Sequence, residues 1–181
     1  MNKFRKISII IALCSVLLLV GIDQLTKYIA NNNEILLSGD KIMFIKHILS
    51  FKLAYNKGAA WSILYGKKFF LVSVSLIASV AVIFLIIKTV DFKNNILMSC
   101  ALVLIASGAI GNLIDRAFYE EGVIDFLNFE FMSFPIFNFA DSCLTIGACI
   151  LMVYVVFFYK DPKIEKKEDE ENSNTGVSED A

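Results

Sequence analysis

Acidic and amide residues stand at the ends of apolar runs in this sequence. Asp23, Asp115 and Asp141 each lie where a membrane-spanning helix of about 20 residues would meet the lipid headgroups. Basic and amide side chains lie beside them, namely Lys27, Asn112, Arg116 and Asn138. Ionisable groups at that depth are costly and usually functional. The sequence therefore predicts a catalytic or transport site near one membrane face.

A pair of carboxyl groups is the catalytic set that these residue types favour. Asp125 is the one charged residue in the apolar run 123–127. Apolar surroundings raise the pKa of a carboxyl group, as a general acid near neutral pH requires. Two facing carboxyl groups cannot both ionise cheaply, so one keeps a proton while the other accepts one from water. From this chemistry alone, the pair could be drawn from Asp23, Asp115, Asp125 and Asp141.

The single histidine, His47, argues against other kinds of hydrolytic site. A zinc protease site needs two or three His ligands, and a Ser-His-Asp triad would depend on His47 without a nucleophile elbow. A Ser-Lys dyad with Lys27 lacks a serine at recognisable spacing. All four cysteines fall inside predicted spans, where they are expected to be small apolar packing residues. The basic residues are scattered and do not form the continuous basic surface that binds nucleic acid. We therefore expect no metal, no cofactor and no nucleic-acid partner.

Four uncharged apolar runs must position the polar residues. They cover 7–22, 69–87, 96–114 and 142–159, and with their flanks they predict spans over 7–28, 68–88, 95–116 and 138–159. Basic residues at 3–6, 88–93 and 160–163 place both termini in the cytoplasm. Alternating helices then bring the polar ends of all four spans to the outer side.

The segments between the predicted spans indicate further secondary structure. Phe51, Leu53 and Tyr55 alternate with polar or small residues, which predicts a half-buried strand. Residues 56–58 supply a turn signal, so residues 59–64 are expected to form a short amphipathic segment against the bilayer. The connection 117–138 is expected to be an outer loop.

Gly108 and Gly111 lie three residues apart within the third span. Such small residues predict close helix packing.

The chain is expected to hold one domain. Residues 1–163 would form a single membrane-embedded unit. Residues 164–181 are polar and acidic, so they cannot bury enough apolar surface to fold and are expected to be a disordered cytoplasmic tail.

Five motifs resemble those of the lipoprotein signal peptidases, or signal peptidase II family. They are DQLTK at 23–27, YNKGAAWSI at 55–63, GAIGNLIDR at 108–116, VIDF at 123–126 and FNFADS at 137–142. They occur in the family's order and cover nearly the whole membrane region.

The resemblance implies an integral membrane, mainly α protein of the bacterial cytoplasmic membrane. It implies a four-transmembrane-helix bundle with a small extracytoplasmic β-cradle and a short interfacial helix. Such a protein is an intramembrane aspartyl endopeptidase that removes signal peptides from prolipoproteins, cutting just before the diacylglyceryl-modified cysteine, with its active site toward the outer face. Its partners would be these prolipoproteins and membrane lipids, and we expect a monomer.

The resemblance also implies roles for individual residues. The catalytic dyad would be Asp125 in VIDF and Asp141 in FNFADS. Substrate-binding or supporting roles would fall to Asp23, Lys27, Asn56, Gly108, Asn112, Asp115, Arg116 and Asn138.

Two other classes of function compete with this one. A small transporter or proton-conducting protein also uses membrane carboxylates, but it predicts polar residues through the depth of the bilayer. The second and fourth spans hold almost none beyond Ser, Thr and one Gly, which favours a site at one face. A structural subunit or assembly factor predicts that Asp125 and Asp141 tolerate replacement by Asn.

Overall fold

A computed structural model describes residues 3–58 and 67–159. The predicted amphipathic segment at 59–64 and the tail at 164–181 lie outside the described residues. The chain divides after Leu151 into two compact units, and residues 152–159, the described part of the second, contain the end of the last helix. In chain order the elements are α1 (Lys3–Asn31), α2 (Glu34–Leu37), β1 (Ile42–Ile45), β2 (Leu49–Asn56), α3 (Lys68–Thr89), α4 (Ile96–Phe118), β3 (Val123–Phe129) and α5 (Phe139–Phe157).

Four of these helices are long and apolar enough to cross a membrane. They are α1, α3, α4 and α5, with mean hydropathies between 2.0 and 2.9 over their most apolar windows. The shortest, α5, has 19 residues and is about 28 Å long. The predicted mainly α fold with four apolar helices is confirmed.

Helix α4 lies at the centre of the first unit. Half of the residues in its most apolar 18-residue stretch are buried inside the protein, compared with 22% for α1 and 17% for α3. The core that it forms with α1 and α3 contains Ala12, Val16, Ile86, Leu102, Val103 and Ala106. Large apolar side chains elsewhere on α1 and α3 are exposed, as lipid-facing surfaces require.

A small antiparallel sheet accompanies the helices, with the strand order β1-β2-β3. The strand predicted from the alternation at 51–55 is confirmed as part of β2. Strand β2 pairs with β3 so that Ala54 lies opposite Asp125 and Ser50 lies opposite Asn128. The register therefore fixes where Asp125 lies along the sheet.

Glu130 ties the three strands together at the far end of β3. Its carboxylate accepts hydrogen bonds from Ser50 Oγ at 2.6 Å and Asn128 Nδ2 at 2.9 Å, and pairs with Lys41 Nζ at 2.7 Å. The hydrogen bond from Lys41, followed by that from Ser50, lowers the pKa of Glu130. This ionic contact lies beside β1, well along the sheet from Asp125.

The expectation of a loop over 117–138 is wrong for residues 123–129, which form β3. The first four residues of β3 are all buried, so the strand shows no alternation of apolar and polar residues. Gly122 precedes the strand with a φ of 100°, and its Cα lies against the backbone of Asn56 at the end of β2. A side chain at position 122 would be strained and would collide with that backbone.

Candidate active site

The polar residues predicted at the span ends meet at one end of the helices. Lys27 Nζ of α1 lies 2.9 Å from Asp115 Oδ2 of α4. Asp23 of α1 accepts a hydrogen bond of 2.9 Å from the backbone N–H of Ala140 in the first turn of α5. The end of α1, the end of α4 and the start of α5 therefore share one polar site.

Asp141 is positioned by the local sequence at the start of α5. The backbone N–H of Asn138 donates to Asp141 Oδ2 at 3.2 Å, and the backbone N–H of Asp141 donates to Asn138 Oδ1 at 2.9 Å. This reciprocal pairing at a spacing of three residues is that of a capping box. The motif FNFADS therefore begins the helix and holds the Asp141 carboxyl group in its first turn.

Two amide side chains join Asp141 to Asp125. Asn138 Nδ2 donates to Asp125 Oδ1 at 2.7 Å and to Asn112 Oδ1 at 3.0 Å. Asn112 Nδ2 in turn donates to Asp141 Oδ1 at 2.7 Å. Asn112 and Asn138 are both buried, so solvent does not compete strongly for these hydrogen bonds.

Both carboxyl groups line one cavity of about 450 Å³. Its polar side also carries Asn56, whose side chain hydrogen-bonds Asp125, and Arg116. Its apolar side is formed largely by residues 134–137 together with Phe129. A cavity of this volume is in the range that holds small ligands or a short stretch of peptide.

Asp125 has the environment that the sequence predicted. Its side chain lies in the buried part of β3 and the residue is 3% exposed. Burial, and secondly the charge of Asp141, raise the pKa of Asp125 to about 7. Hydrogen bonds from Asn138 and Asn56 and the charge of Lys27 act in the opposite direction. Asp125 can therefore hold or release a proton near neutral pH.

Asp23 and Asp115 are placed differently from the other two candidates. Both are almost completely buried, and both contact the ammonium group of Lys27, at 2.8 and 2.9 Å. Neither is among the residues that line the 450 Å³ cavity. Of the four aspartates that the sequence left open, Asp125 and Asp141 are therefore the two that face a common space.

Arg116 lies between the cavity and α3. Its Nη1 donates to Ser75 Oγ of α3 at 3.2 Å, while its buried Nε has no hydrogen-bond partner among the described residues. Arg116 also lines the cavity, where it is the one cationic side chain among the described lining residues.

Two glycines on α4 allow close approach to the neighbouring elements. A Cβ at Gly111 would lie 2.6 Å from Asp23 Oδ2, and one at Gly108 would lie 2.7 Å from Leu144 Cγ of α5. Both distances are shorter than real contacts of a Cβ atom, so only glycine, which has no side chain, fits at these two positions of α4.

Two residues of the site, Gln24 and Ser75, were not predicted from the sequence. Gln24 Nε2 donates to Asp23 at 3.2 Å and to Asp115 Oδ1 at 3.0 Å. Its position within DQLTK was a signal that could have identified it. Ser75 lies within an apolar span and carried no such signal.

The single histidine, His47, lies away from the lining of the 450 Å³ cavity. It is exposed in the turn between β1 and β2, with a φ of 63°.

Comparisons with known proteins agree on one family. A model of the family described as signal peptidase (SPase) II matches residues 15–157. A lipoprotein signal peptidase of Enterococcus faecalis is 42% identical over 146 residues, which cover 81% of this chain and 88% of that protein. A lipoprotein signal peptidase of Staphylococcus aureus is 39% identical over 150 residues, covering 81% and 86%.

Solved structures agree with the sequence comparisons. A bacterial membrane enzyme determined by the in meso method at 1.9 Å resolution matches with a TM-score of 0.71 and 35% identity, over 82% of this chain and 94% of that chain. A second such structure, at 2.3 Å resolution, has a TM-score of 0.72 and 35% identity, over 80% and 87%. With its four apolar helices, the chain is thus a multi-pass membrane protein of bacterial type, and it belongs to the signal peptidase II family.

Proposed function

We propose that this protein is an intramembrane aspartyl endopeptidase that removes signal peptides from bacterial prolipoproteins. It cuts on the N-terminal side of the diacylglyceryl-modified cysteine. The observation that carries the proposal is the placement of Asp125 and Asp141 on one cavity, joined through two buried amides, in a chain of the signal peptidase II family.

The two aspartates divide the proton chemistry between them. Asp125, with a pKa of about 7, holds the proton, and Asp141 acts as the base. Asp141 removes a proton from water, the water oxygen bonds to the scissile carbonyl carbon, and Asp125 donates its proton to the carbonyl oxygen. The intermediate is an uncharged diol, and the single negative charge of the dyad passes from Asp141 to Asp125, so the buried site gains no additional charge.

The second half of the reaction restores the starting state. Asp125 takes back a proton from one hydroxyl group of the diol while the C–N bond breaks. The departing nitrogen takes the proton that Asp141 holds. The products are a signal peptide with a new carboxyl terminus and a protein with a free amino group on its modified cysteine.

Other residues of the site bind and orient the substrate in this proposal. Asn56 hydrogen-bonds Asp125 from the end of β2, and the guanidinium group of Arg116, which lines the same cavity, offers donors to a substrate carbonyl group. The apolar wall at 134–137 contacts apolar substrate groups, while acyl chains stay in the lipid beside the helices.

The test is cleavage of a diacylglyceryl-modified prolipoprotein by the purified protein in detergent. Asp125→Asn and Asp141→Asn are each expected to reduce turnover by at least a thousandfold while still binding substrate, with no effect of a chelator on the wild type. Asp40→Asn, which changes an exposed carboxylate before β1, is the matched control and is expected to cleave normally. Near-normal turnover by either dyad variant would contradict the aspartyl mechanism and favour a structural role.

The membrane orientation is a proposal of its own. We expect both termini in the cytoplasm, the dyad toward the outer face, and a functional monomer. Reporter fusions after residues 92 and 163 should read cytoplasmic, and a fusion after residue 120 should read external. A chain that ends at Lys163 should cleave as well as the full chain; loss of cleavage would give the tail a function.

A further inference from the structure

A buried ionic cluster lies directly behind the two proposed catalytic aspartates. We define the Lys27 cluster as Lys27, Asp23, Asp115 and Gln24. The three charged members are each at most 1% exposed, and the Lys27 ammonium group lies 2.8 Å from Asp23 and 2.9 Å from Asp115. Gln24 Nε2 links the same two carboxylates from the side. Charges buried this deeply are costly to desolvate, so their remaining hydrogen bonds are informative.

Each carboxylate of the cluster holds the backbone next to one aspartate of the dyad. Asp23 Oδ1 accepts the N–H of Ala140 at 2.9 Å, and Ala140 immediately precedes Asp141. Asp115 Oδ2 accepts the N–H of Ile124 at 3.1 Å, and Ile124 immediately precedes Asp125. The two backbones that carry the dyad are thus bound to two carboxylates, and one lysine joins those carboxylates.

Lys27 also fixes the orientation of one of the bridging amides. Its Nζ donates to Asn112 Oδ1 at 3.1 Å, and Asn138 Nδ2 donates to the same oxygen at 3.0 Å. With its oxygen occupied by two donors, Asn112 must turn its NH2 group toward Asp141, where it donates at 2.7 Å.

We propose that Lys27 is a positioning residue for the dyad: through Asp23, Asp115 and Asn112 it sets the separation of Asp125 and Asp141 and the hydrogen bonds that they receive. The inference rests on the proposed function, because it assigns Lys27 a role in the chemistry of that site. Gln24 is the uncharged member of the Lys27 cluster. Lys27 contacts neither water nor substrate in this role.

The charge of Lys27 gives this role a measurable signature. Three charged groups interact with Asp125 from the elements packed against it, namely Lys27 of α1, Arg116 of α4 and Asp141 of α5. Two further charged groups on these elements, Asp23 and Asp115, are paired with Lys27. The positive charge of Lys27 lowers the pKa of Asp125. Since Asp125 must be protonated to act, activity is lost as the pH rises through its pKa. Removing Lys27 is therefore expected to move the alkaline limb of the kcat profile to higher pH.

The principal variant is Lys27→Met, which keeps an unbranched side chain, one atom shorter, and removes its charge and donors. We expect kcat to fall about a hundredfold, as misplacement of catalytic groups by about 1 Å does, with KM within threefold of the wild type. Turnover is expressed per mole of protein that binds a substrate analogue whose scissile amide is replaced by a methylene-amine. This normalisation removes losses that come from unfolded protein.

Two further variants keep the test decisive if Lys27→Met does not fold. Lys27→Met combined with Asp23→Asn removes one charge of each sign, and the new amide oxygen can still accept the N–H of Ala140. Gln24→Met leaves every charge in place and is expected to lower kcat about tenfold with KM unchanged. Lys41→Met is the matched control, because Lys41 also pairs with a carboxylate but lies at the far end of the sheet and half-exposed. It is expected to show wild-type kcat, KM and pH profile.

The outcomes separate this inference from the proposed function. Failure of the wild type to cleave the prolipoprotein, or cleavage by Asp125→Asn, would reject the proposed function itself. If the wild type cleaves, Asp125→Asn does not, and the Lys27 variants that bind the analogue have wild-type kcat and an unmoved alkaline limb, then only the positioning role is wrong. If both Lys27 variants fail to bind the analogue, a wild-type kcat for Gln24→Met overturns the role.

Discussion

Replacing Asp125 by asparagine is expected to stabilise the protein at alkaline pH while it abolishes cleavage. Burial and the charge of Asp141 raise the pKa of Asp125 from 3.8 to about 7 in the folded chain. Because the folded pKa lies above the unfolded value, ionising this group costs stability, and the cost is fully present above about pH 7. It decreases as the pH falls toward 3.8, below which the group is protonated in both states.

The size of the effect follows from the same values. A difference of about three pH units, at about 1.4 kcal/mol each, amounts to about 4 kcal/mol. For a chain of this length, that corresponds to a rise in Tm of roughly 10 °C at pH 8.5. At pH 4.5 the rise should shrink to about 3 °C, because only about 1 kcal/mol of the ionisation cost is left to remove.

The assay is thermal unfolding of the purified protein in detergent between pH 4.5 and pH 8.5. Asp40→Asn is the control, because the carboxylate that it removes is exposed. Its Tm should match the wild type at every pH. A Tm difference for Asp125→Asn that is the same at pH 4.5 and pH 8.5, or a lower Tm at pH 8.5, would refute the account of Asp125 as a carboxyl group held protonated by burial.

Three further substitutions test the packing and the hydrogen bonds of the site. Gly111→Ala puts a methyl group against a carboxylate of the Lys27 cluster and should lower Tm and kcat, whereas Gly21→Ala, with open space around it, should be neutral or slightly stabilising in both assays. Gly122→Ala should cost about 2 kcal/mol or more in thermal unfolding, because φ is 100° and the new Cβ meets backbone; an unchanged Tm would contradict that geometry. Asn138→Ala removes the donor that favours the ionised form of Asp125, so the alkaline limb of the kcat profile should move up by about one pH unit or more; a limb that stays fixed would show that this hydrogen bond does not matter.

The gathering of polar residues at one end of the helices could be predicted from the sequence. Their positions at the ends of apolar runs, together with alternating helix direction, were sufficient. Their division into two sets could not be predicted from the same chemistry, because Asp23, Asp115 and Asp141 all lie at the ends of apolar runs beside other polar residues. What separates them is the contact of Lys27 with α4, which depends on how α1 and α4 pack. The family motifs implied Asp125 and Asp141 as the dyad, and that assignment stays a prediction until the variants are measured.

The sheet shows a second limit of sequence reasoning. Strand β2 alternates apolar with polar or small residues over 50–55, so it could be predicted, although its burial does not alternate, since Ser50 is buried and Tyr55 is exposed. Strand β3 is covered on both sides over its first four residues, and such a strand loses the alternating pattern by which it is recognised. The four-residue helix α2, capped by Asn33, is too short to show any period.

The dispersal of the site over the chain has a consequence for biosynthesis. The Lys27 cluster draws on α1 and α4, and it holds backbone from β3 and from the first turn of α5. The Lys27 cluster and the two aspartates together extend from Asp23 to Asp141, so they are complete only when α5 has been made. If Asp125 and Asp141 are the catalytic pair, a nascent chain whose final helix has not yet entered the bilayer cannot cleave substrate, because that helix carries Asp141.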